Sequence, residues 1–104
     1  MNKIQVYRHN SLTVVVTLTI TGTVDIDTLT AVLTVKPTYN DADEALLTAS
    51  GTIDSVHNTV TFNLLPDDTD IDPGLFMYDV VLYDTNYSFT VVQDEFEVLN
   101  SVLY

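Results

Sequence analysis

Four aspartates lie close together in the segment between Pro66 and Pro73. Carboxylate oxygens from one loop are the ligands that calcium prefers in proteins, although this segment lacks the glycine and the closing glutamate of an EF-hand loop. The sequence leaves two interpretations, a calcium site or, as we favour, a solvated acidic turn between strands. The residues concerned are Asp67, Asp68, Asp70 and Asp72.

Histidine, serine and aspartate are the residue types of a hydrolytic triad, and His9 and Ser11 lie two positions apart. A triad is defined by its geometry and not by residue types alone, and no nucleophile-elbow sequence surrounds Ser11. The two histidines, His9 and His57, both lie in polar turn or edge contexts and make a poor metal set. We therefore expect no catalytic residues and no enzymatic activity.

Several tyrosines fall in loops, at chain ends or on the second face of a strand, where core packing does not explain them. Tyrosine is favoured at interfaces because it combines a large apolar body with a polar tip. The C-terminal residues 98–104 are also unusually apolar, and form either the last strand of a sheet or a segment that adds a strand to another subunit. The candidate interface residues are Tyr39, Tyr83, Tyr87, Leu103 and Tyr104.

The elements that position these residues are strands, because apolar residues recur with period two. The clearest case runs from Leu12 to Thr21, where threonines fill most outward positions. We predict further strands at residues 30–36, 45–54 with a bend near Gly51, 59–64, 75–84, 88–93 and 96–103, the last two separated near Asp94 and Glu95. Turns are predicted at residues 57–58 and 84–87. Residues 41–47 are the one stretch suited to a helical turn. The pattern predicts one domain, residues 1–104, that is an all-β antiparallel sandwich of about seven or eight strands.

The charge balance excludes several classes of partner. Fifteen acidic residues against three basic ones give a net charge of −12, which repels phosphate backbones, so we expect no nucleic-acid or membrane partner. The chain has no cysteine, which excludes a disulfide scaffold and a thiolate zinc site. No apolar segment reaches membrane-spanning or signal-peptide length, so we expect the protein to stay in the cytoplasm until assembly or lysis.

The order of these segments resembles the immunoglobulin-like domain of phage virion proteins, found at the N-terminus of baseplate upper proteins and in head-fibre and auxiliary capsid proteins. The glycine, aromatic, tyrosine-aspartate strand at residues 74–82 is the nearest match. The other segments that carry the resemblance are residues 8–11, 27–36, 59–69 and 95–98. The likeness spans nearly the whole chain and implies an immunoglobulin-like sandwich without catalytic residues or a required cofactor.

The resemblance implies a virion structural protein that decorates the capsid or anchors a head fibre. Its partner would be the major capsid protein or a head fibre, and we expect it to be oligomeric on the particle. We expect the protein in the virion, and in the host cytoplasm during assembly. Two alternatives stay open, namely a baseplate or tail-fibre adaptor and a carbohydrate- or cell-surface-binding module. The lack of tryptophan counts against the second alternative.

Overall fold

A computed structural model describes residues 2–19, 25–38 and 44–103, and these residues form eight strands in two sheets. The strands are β1 (Ile4–Tyr7), β2 (Leu12–Thr17), β3 (Thr30–Lys36), β4 (Leu47–Ser50), β5 (Thr52–Asp54), β6 (Thr59–Leu64), β7 (Gly74–Tyr83) and β8 (Ser88–Leu99). One sheet has the order β1-β8-β7-β3-β4 and the other the order β2-β6-β5. The predicted all-β sandwich is confirmed.

The strand order can be compared with that of an immunoglobulin domain. The neighbours β8-β7-β3 in one sheet and β2-β6-β5 in the other correspond to strands G-F-C and B-E-D of that fold. One pairing departs from the antiparallel prediction, because β1 runs parallel to β8. Two parallel neighbouring strands require a long connection between them. β1 and β8 satisfy this requirement because they lie far apart in the sequence.

Period-two burial builds the core as the sequence predicts. In β3, the side chains of Ala31, Leu33 and Val35 are buried and alternate with more exposed neighbours. The same alternation buries Val60, Phe62 and Leu64 in β6. These residues pack with Phe96 and Val80 of the larger sheet in a single cluster. The cluster consists of Val6, Leu18, Ile26, Leu29, Ala31, Leu33, Val35, Leu47, Val60, Phe62, Leu64, Tyr78, Val80, Leu82, Phe96 and Val98. Each fully buried apolar side chain of this size contributes about 1.5–3 kcal/mol.

The predicted strand over residues 45–54 is divided between the two sheets. β4 pairs with β3, and after the single residue Gly51 the chain continues as β5, which pairs with β6. A Cβ atom at Gly51 would lie 2.7 Å from Cε1 of Phe62 and 2.7 Å from Cγ1 of Val60. Glycine is therefore required here by the close approach of core side chains, and the crossing closes this long side of the sandwich.

The predicted break near Asp94 and Glu95 is wrong, because β8 is one strand of 12 residues. The Asp94 side chain accepts hydrogen bonds from the backbone N–H groups of Glu95 and Asn2, at 2.7 and 2.8 Å, so a residue pair typical of a turn is accommodated within a strand. The irregularity lies elsewhere, at a bulge where Val91 has no partner between the pairs Val80–Val92 and Val81–Thr90.

The described residues contain little helix. A 3-10 turn at Ile26–Thr28 begins at Asp25, whose side chain accepts from the N–H of Asp27, and the sequence did not predict it. The helical turn predicted at residues 41–47 falls partly outside the described residues, and within them residues 44–46 are not helical and Leu47 begins β4. No helix among residues 2–19, 25–38 and 44–103 has the length and apolar character to cross a membrane.

Replacing Gly51 by alanine tests whether the sheet crossing depends on space. We expect Gly51→Ala to lower the free energy of unfolding by about 1–3 kcal/mol, because the new methyl group overpacks a closed core. Gly74→Ala is the matched control. Its added Cβ would approach only the Phe76 ring, at 3.3 Å, so its effect should stay within about 1 kcal/mol. Urea unfolding measures both, and equal losses would contradict the assignment.

Candidate functional site

The two long sides of the sandwich differ in how they are closed. On one side, β4 runs directly into β5. On the other side, β1 pairs only with the last part of β8, from Ile4–Phe96 to Tyr7–Leu99. No strand in the described part of the chain pairs with the free side of β8 over residues 88–95, and β2 is likewise an edge strand. We call these two free strand sides the open edge.

A groove of about 370 Å³ runs between the two strands of the open edge, and both polar and apolar groups line it. Its walls include Val14 and Val16 of β2 and Val91 and Val92 of β8, and Lys3 lies where β1 begins. Lys3 is the single charged residue of the lining, and its ammonium group contacts a carboxylate of β8. The part of this edge groove between the valines can therefore accept an apolar side chain away from negative charge.

Exposed aromatic side chains border the open edge at the β7–β8 hairpin. The rings of Tyr87 and Phe89 stack with centroids 5.9 Å apart and an interplanar angle of 14°. These side chains are 49% and 40% exposed. Phe89 pairs with the buried Leu82, which places it on the inner side of its sheet, whereas the exposed Tyr83 pairs with Ser88. We call residues 83–89 the aromatic hairpin.

Asp84 shapes the aromatic hairpin. Its Oδ1 atom accepts hydrogen bonds from the backbone N–H groups of Asn86 and Tyr87, each at 2.7 Å, and its own N–H donates to the Tyr87 carbonyl. Aspartate commonly closes turns in this way, and the predicted turn at residues 84–87 is confirmed.

The structure brings together only part of the predicted interface set. Tyr83 and Tyr87 lie on one hairpin, while Leu103 is exposed near the chain end beyond β8. Tyr39 and Tyr104 lie outside the described residues. The sequence missed Phe89 and Val91 as surface residues, because both fit the alternation of a strand with a covered face. Only the unequal width of the sheets leaves them exposed.

Polar contacts hold the start of β1 against β8 beside the edge groove. Lys3 Nζ lies 3.2 Å from Glu97 Oε1, and the Gln5 side-chain amide donates to the same oxygen at 2.7 Å. The Tyr78 hydroxyl donates to the Asn2 carbonyl. The hydrogen bonds from Gln5 and then Lys3 lower the pKa of Glu97. These contacts determine where the paired part of β8 ends and the open edge begins.

The four aspartates of the acidic segment are used in different ways. Asp68 accepts from the Leu65 N–H at 2.8 Å. Asp70 and Asp72 lie 2.9 and 3.4 Å from guanidinium nitrogens of Arg8. Among the residues that the structure describes, no three histidine, aspartate or glutamate side chains are grouped so that they could share a metal ion. A calcium site formed by Asp67 and these three aspartates stays a hypothesis.

Thr69 is the residue of this segment that sequence reasoning missed. It is fully buried, and its hydroxyl donates to the Asn10 carbonyl at 2.7 Å. The Thr69 carbonyl accepts a hydrogen bond from the backbone N–H of His9 at 3.2 Å. His9 has a φ of 64°. A threonine among aspartates is usually exposed, so the sequence carries no signal for this role. The contact joins the acidic segment to the β1–β2 connection.

Comparison with known proteins supplies no family for the chain, since no protein-family model and no curated protein matches it. The open edge and the aromatic hairpin are thus the features from which a function is inferred. Both are formed by strands whose positions depend on the core and on the anchoring of β1.

Removing the buried hydroxyl of Thr69 should destabilise the fold. We expect Thr69→Val to lower the free energy of unfolding by about 1–3 kcal/mol, because the Asn10 carbonyl loses its partner. Thr13→Val is the matched control, since Thr13 is exposed on β2, and its effect should stay within about 0.5 kcal/mol. Similar urea midpoints for the two variants would contradict the role of Thr69.

Acid should release β1 from β8. The pKa of Asp94 is lowered by hydrogen bonds from the N–H groups of Glu95 and then Asn2, and that of Glu97 is lowered as described above. A carboxylate whose pKa is lower in the folded chain than in the unfolded chain stabilises the fold at pH values above its unfolded-state pKa. This stabilisation is lost as the pH falls through its folded-state pKa. The loss should therefore begin as pH falls below the ordinary values of 3.8 and 4.5.

Amide exchange, corrected for intrinsic rates, measures this release. Protection of β1 should fall over that acid range, while β3 in the middle of the sheet stays protected. The Asp94→Asn, Glu97→Gln double variant should show weak β1 protection already at neutral pH, with little further change in acid. Constant β1 protection in the native chain across this range would show that the two carboxylates do not hold the strand.

Proposed function

We propose that this chain is a structural component of a bacteriophage particle, an auxiliary capsid protein or a head-fibre anchor that binds the capsid lattice. The observation that carries the proposal is the open edge with its bordering aromatic hairpin, since both are suited to association. The phage assignment itself rests on the resemblance of the strand segments to virion immunoglobulin-like domains.

An unpaired strand side favours association, because its backbone N–H and C=O groups can pair with another chain. Proteins usually protect such edges with lysine, proline or bulges. Residues 88–93 contain no charged side chain and no proline, and the charged pair Asp94 and Glu95 lies at one end of the free strip. The bulge at Val91 twists the strand locally. An edge bordered by exposed apolar side chains is best explained by a partner that covers it in the assembled state.

The exposed rings of the aromatic hairpin add a second contact element. Aromatic residues are enriched among those that dominate binding energy at protein interfaces. The stacked arrangement of Tyr87 and Phe89 holds both rings in place before binding, which reduces the conformational entropy lost on association. The hairpin therefore supplies an ordered contact surface at one end of the open edge.

The net charge of −12 suits a component that must stay dispersed until assembly. Single-sign charge keeps free copies apart and speeds encounter with a surface of opposite charge. Lys3 contacts Glu97 and Arg8 contacts Asp70, so both of these cations are engaged within the chain. The surface therefore presents mainly carboxylates, and we expect a capsid lattice with a basic outer face as the partner.

Particles of the encoding phage assembled without this gene provide the test. Purified chain should bind their heads saturably, with copy number counted by electron microscopy. Tyr87→Ser with Phe89→Ser should weaken binding by about tenfold or more, because two aromatic anchors are lost. Val56→Ser is the matched control, since Val56 is an exposed apolar residue in the β5–β6 turn. No saturable binding would refute the proposal, and binding at the tail tip would favour a baseplate adaptor.

A further inference from the structure

The chain carries an apolar segment that leaves the sheet after β8. The strand ends at Leu99, and in residues 100–103 the side chains of Val102 and Leu103 are 109% and 80% exposed. These are large apolar side chains with almost nothing covering them. Residues 100–103 contain no charged side chain. We call this segment the apolar tail.

The apolar tail cannot reach the part of its own edge groove that Val91 lines. Val91 lies eight positions before Leu99 in the same extended strand, which corresponds to about 26 Å. The four residues of the tail span at most about 14 Å when fully extended. A tail segment that binds at Val91 must therefore come from another copy.

We propose that the edge groove of one copy binds the apolar tail of a second copy as an added β-strand. This inference deepens the proposed function, on which it rests, because it assigns a partner to the same open edge. The added strand lies beside residues 88–93 of β8, ahead of the Asn2–Asp94 contact, and continues the row that β1 occupies beside Phe96–Leu99. Backbone groups of the tail pair with the free side of β8. Because Val102 and Leu103 are consecutive, they point to opposite faces of the strand, and one of them enters the groove.

Charge supports a second copy at this position. The groove lining contains Lys3 and no carboxylate, and the tail is uncharged. Residues 88–93 of β8 also carry no charged side chain, so two copies of a chain of net charge −12 can meet along these residues without opposing carboxylates in the contact itself. The remaining obstacle is the long-range repulsion between whole chains, and salt screens that repulsion.

The direction of the salt effect distinguishes a second copy of the chain from a basic partner strand as the occupant of the edge groove. Association of two acidic copies should strengthen as salt rises, because repulsion is screened. A basic partner strand would instead bind more weakly in salt. The tail and the groove are also different surfaces, so each copy can donate one and accept with the other. Such contacts produce rings or chains unless the geometry closes them sooner.

Cysteine pairing provides the direct test, because the chain has no cysteine of its own. Val91→Cys and Val102→Cys chains are mixed under mild oxidation, and a mixture of Val56→Cys with Val102→Cys chains is the control. The yield of mixed disulfide should be about tenfold or more higher for the first mixture, because a disulfide forms only when the two Cα atoms lie within about 7 Å. A second tail variant, Leu103→Cys, covers a shift in register. Equal cross-linking of the groove and control pairs would overturn the proposal.

Sedimentation of the purified chain at low and high salt is the second measurement. Wild-type chain should associate more strongly at high salt, and Val102→Ser with Leu103→Ser should weaken association by about tenfold or more. Val91→Lys should act similarly from the groove side, while Val56→Ser should have no effect. A monomer at every salt concentration, or association that survives loss of the tail side chains, overturns the inference.

The two proposals fail separately. A chain that stays monomeric but binds particle heads saturably overturns strand addition and leaves the virion role intact. A chain that associates through its tail but does not bind particles overturns the virion role and leaves strand addition intact.

Discussion

The structure depends on the packing of a three-stranded sheet against a five-stranded one. Phe62 and Leu64 from the smaller sheet are buried together with Phe96 and Val80 from the larger one, and without this contact neither sheet has a covered face. Three strands cannot cover five, so part of the larger sheet's inner side extends beyond its cover. The exposed ring of Phe89 is a direct result of this mismatch.

The two long sides of the sandwich accommodate the difference in sheet width in different ways. At Gly51 the chain passes from one sheet to the other, and the connection closes that side covalently. On the opposite side, β1 covers only four residues of β8, and contacts of Asn2, Lys3 and Gln5 with β8 hold it there. The open edge is what remains. Its length follows from the shortness of β1.

Net charge and local charge act on different scales in this chain. The overall charge of −12 keeps separate copies apart at long range. Residues 88–93 of β8 and the apolar tail contain no carboxylate, so short-range contact between them meets no such opposition. A component that is dispersed when free and cohesive at defined surfaces fits the proposed role in particle assembly.

The sequence alone determined the local elements. Alternation in β2, β3 and β6 predicted which side chains enter the core, and residue types predicted the turns at Asn58, which has φ of 54°, and at residues 84–87. These features depend on neighbours in the chain, because side-chain period and turn chemistry are local properties. The same local reasoning failed at Asp94 and Glu95, where contacts with a distant strand keep a turn-like pair extended.

Tertiary structure alone decided which surfaces are left free. The division of residues 45–54 between two sheets, the burial of Thr69 and the parallel pairing of β1 with β8 all depend on residues far away in the sequence. The open edge also depends on distant residues, because an apolar residue in a strand gives the same sequence pattern whether or not a neighbouring strand covers it. The sequence predicted Tyr83, Tyr87 and Leu103 as interface candidates by residue type, whereas the exposure of Phe89 and Val91 emerged only from the structure.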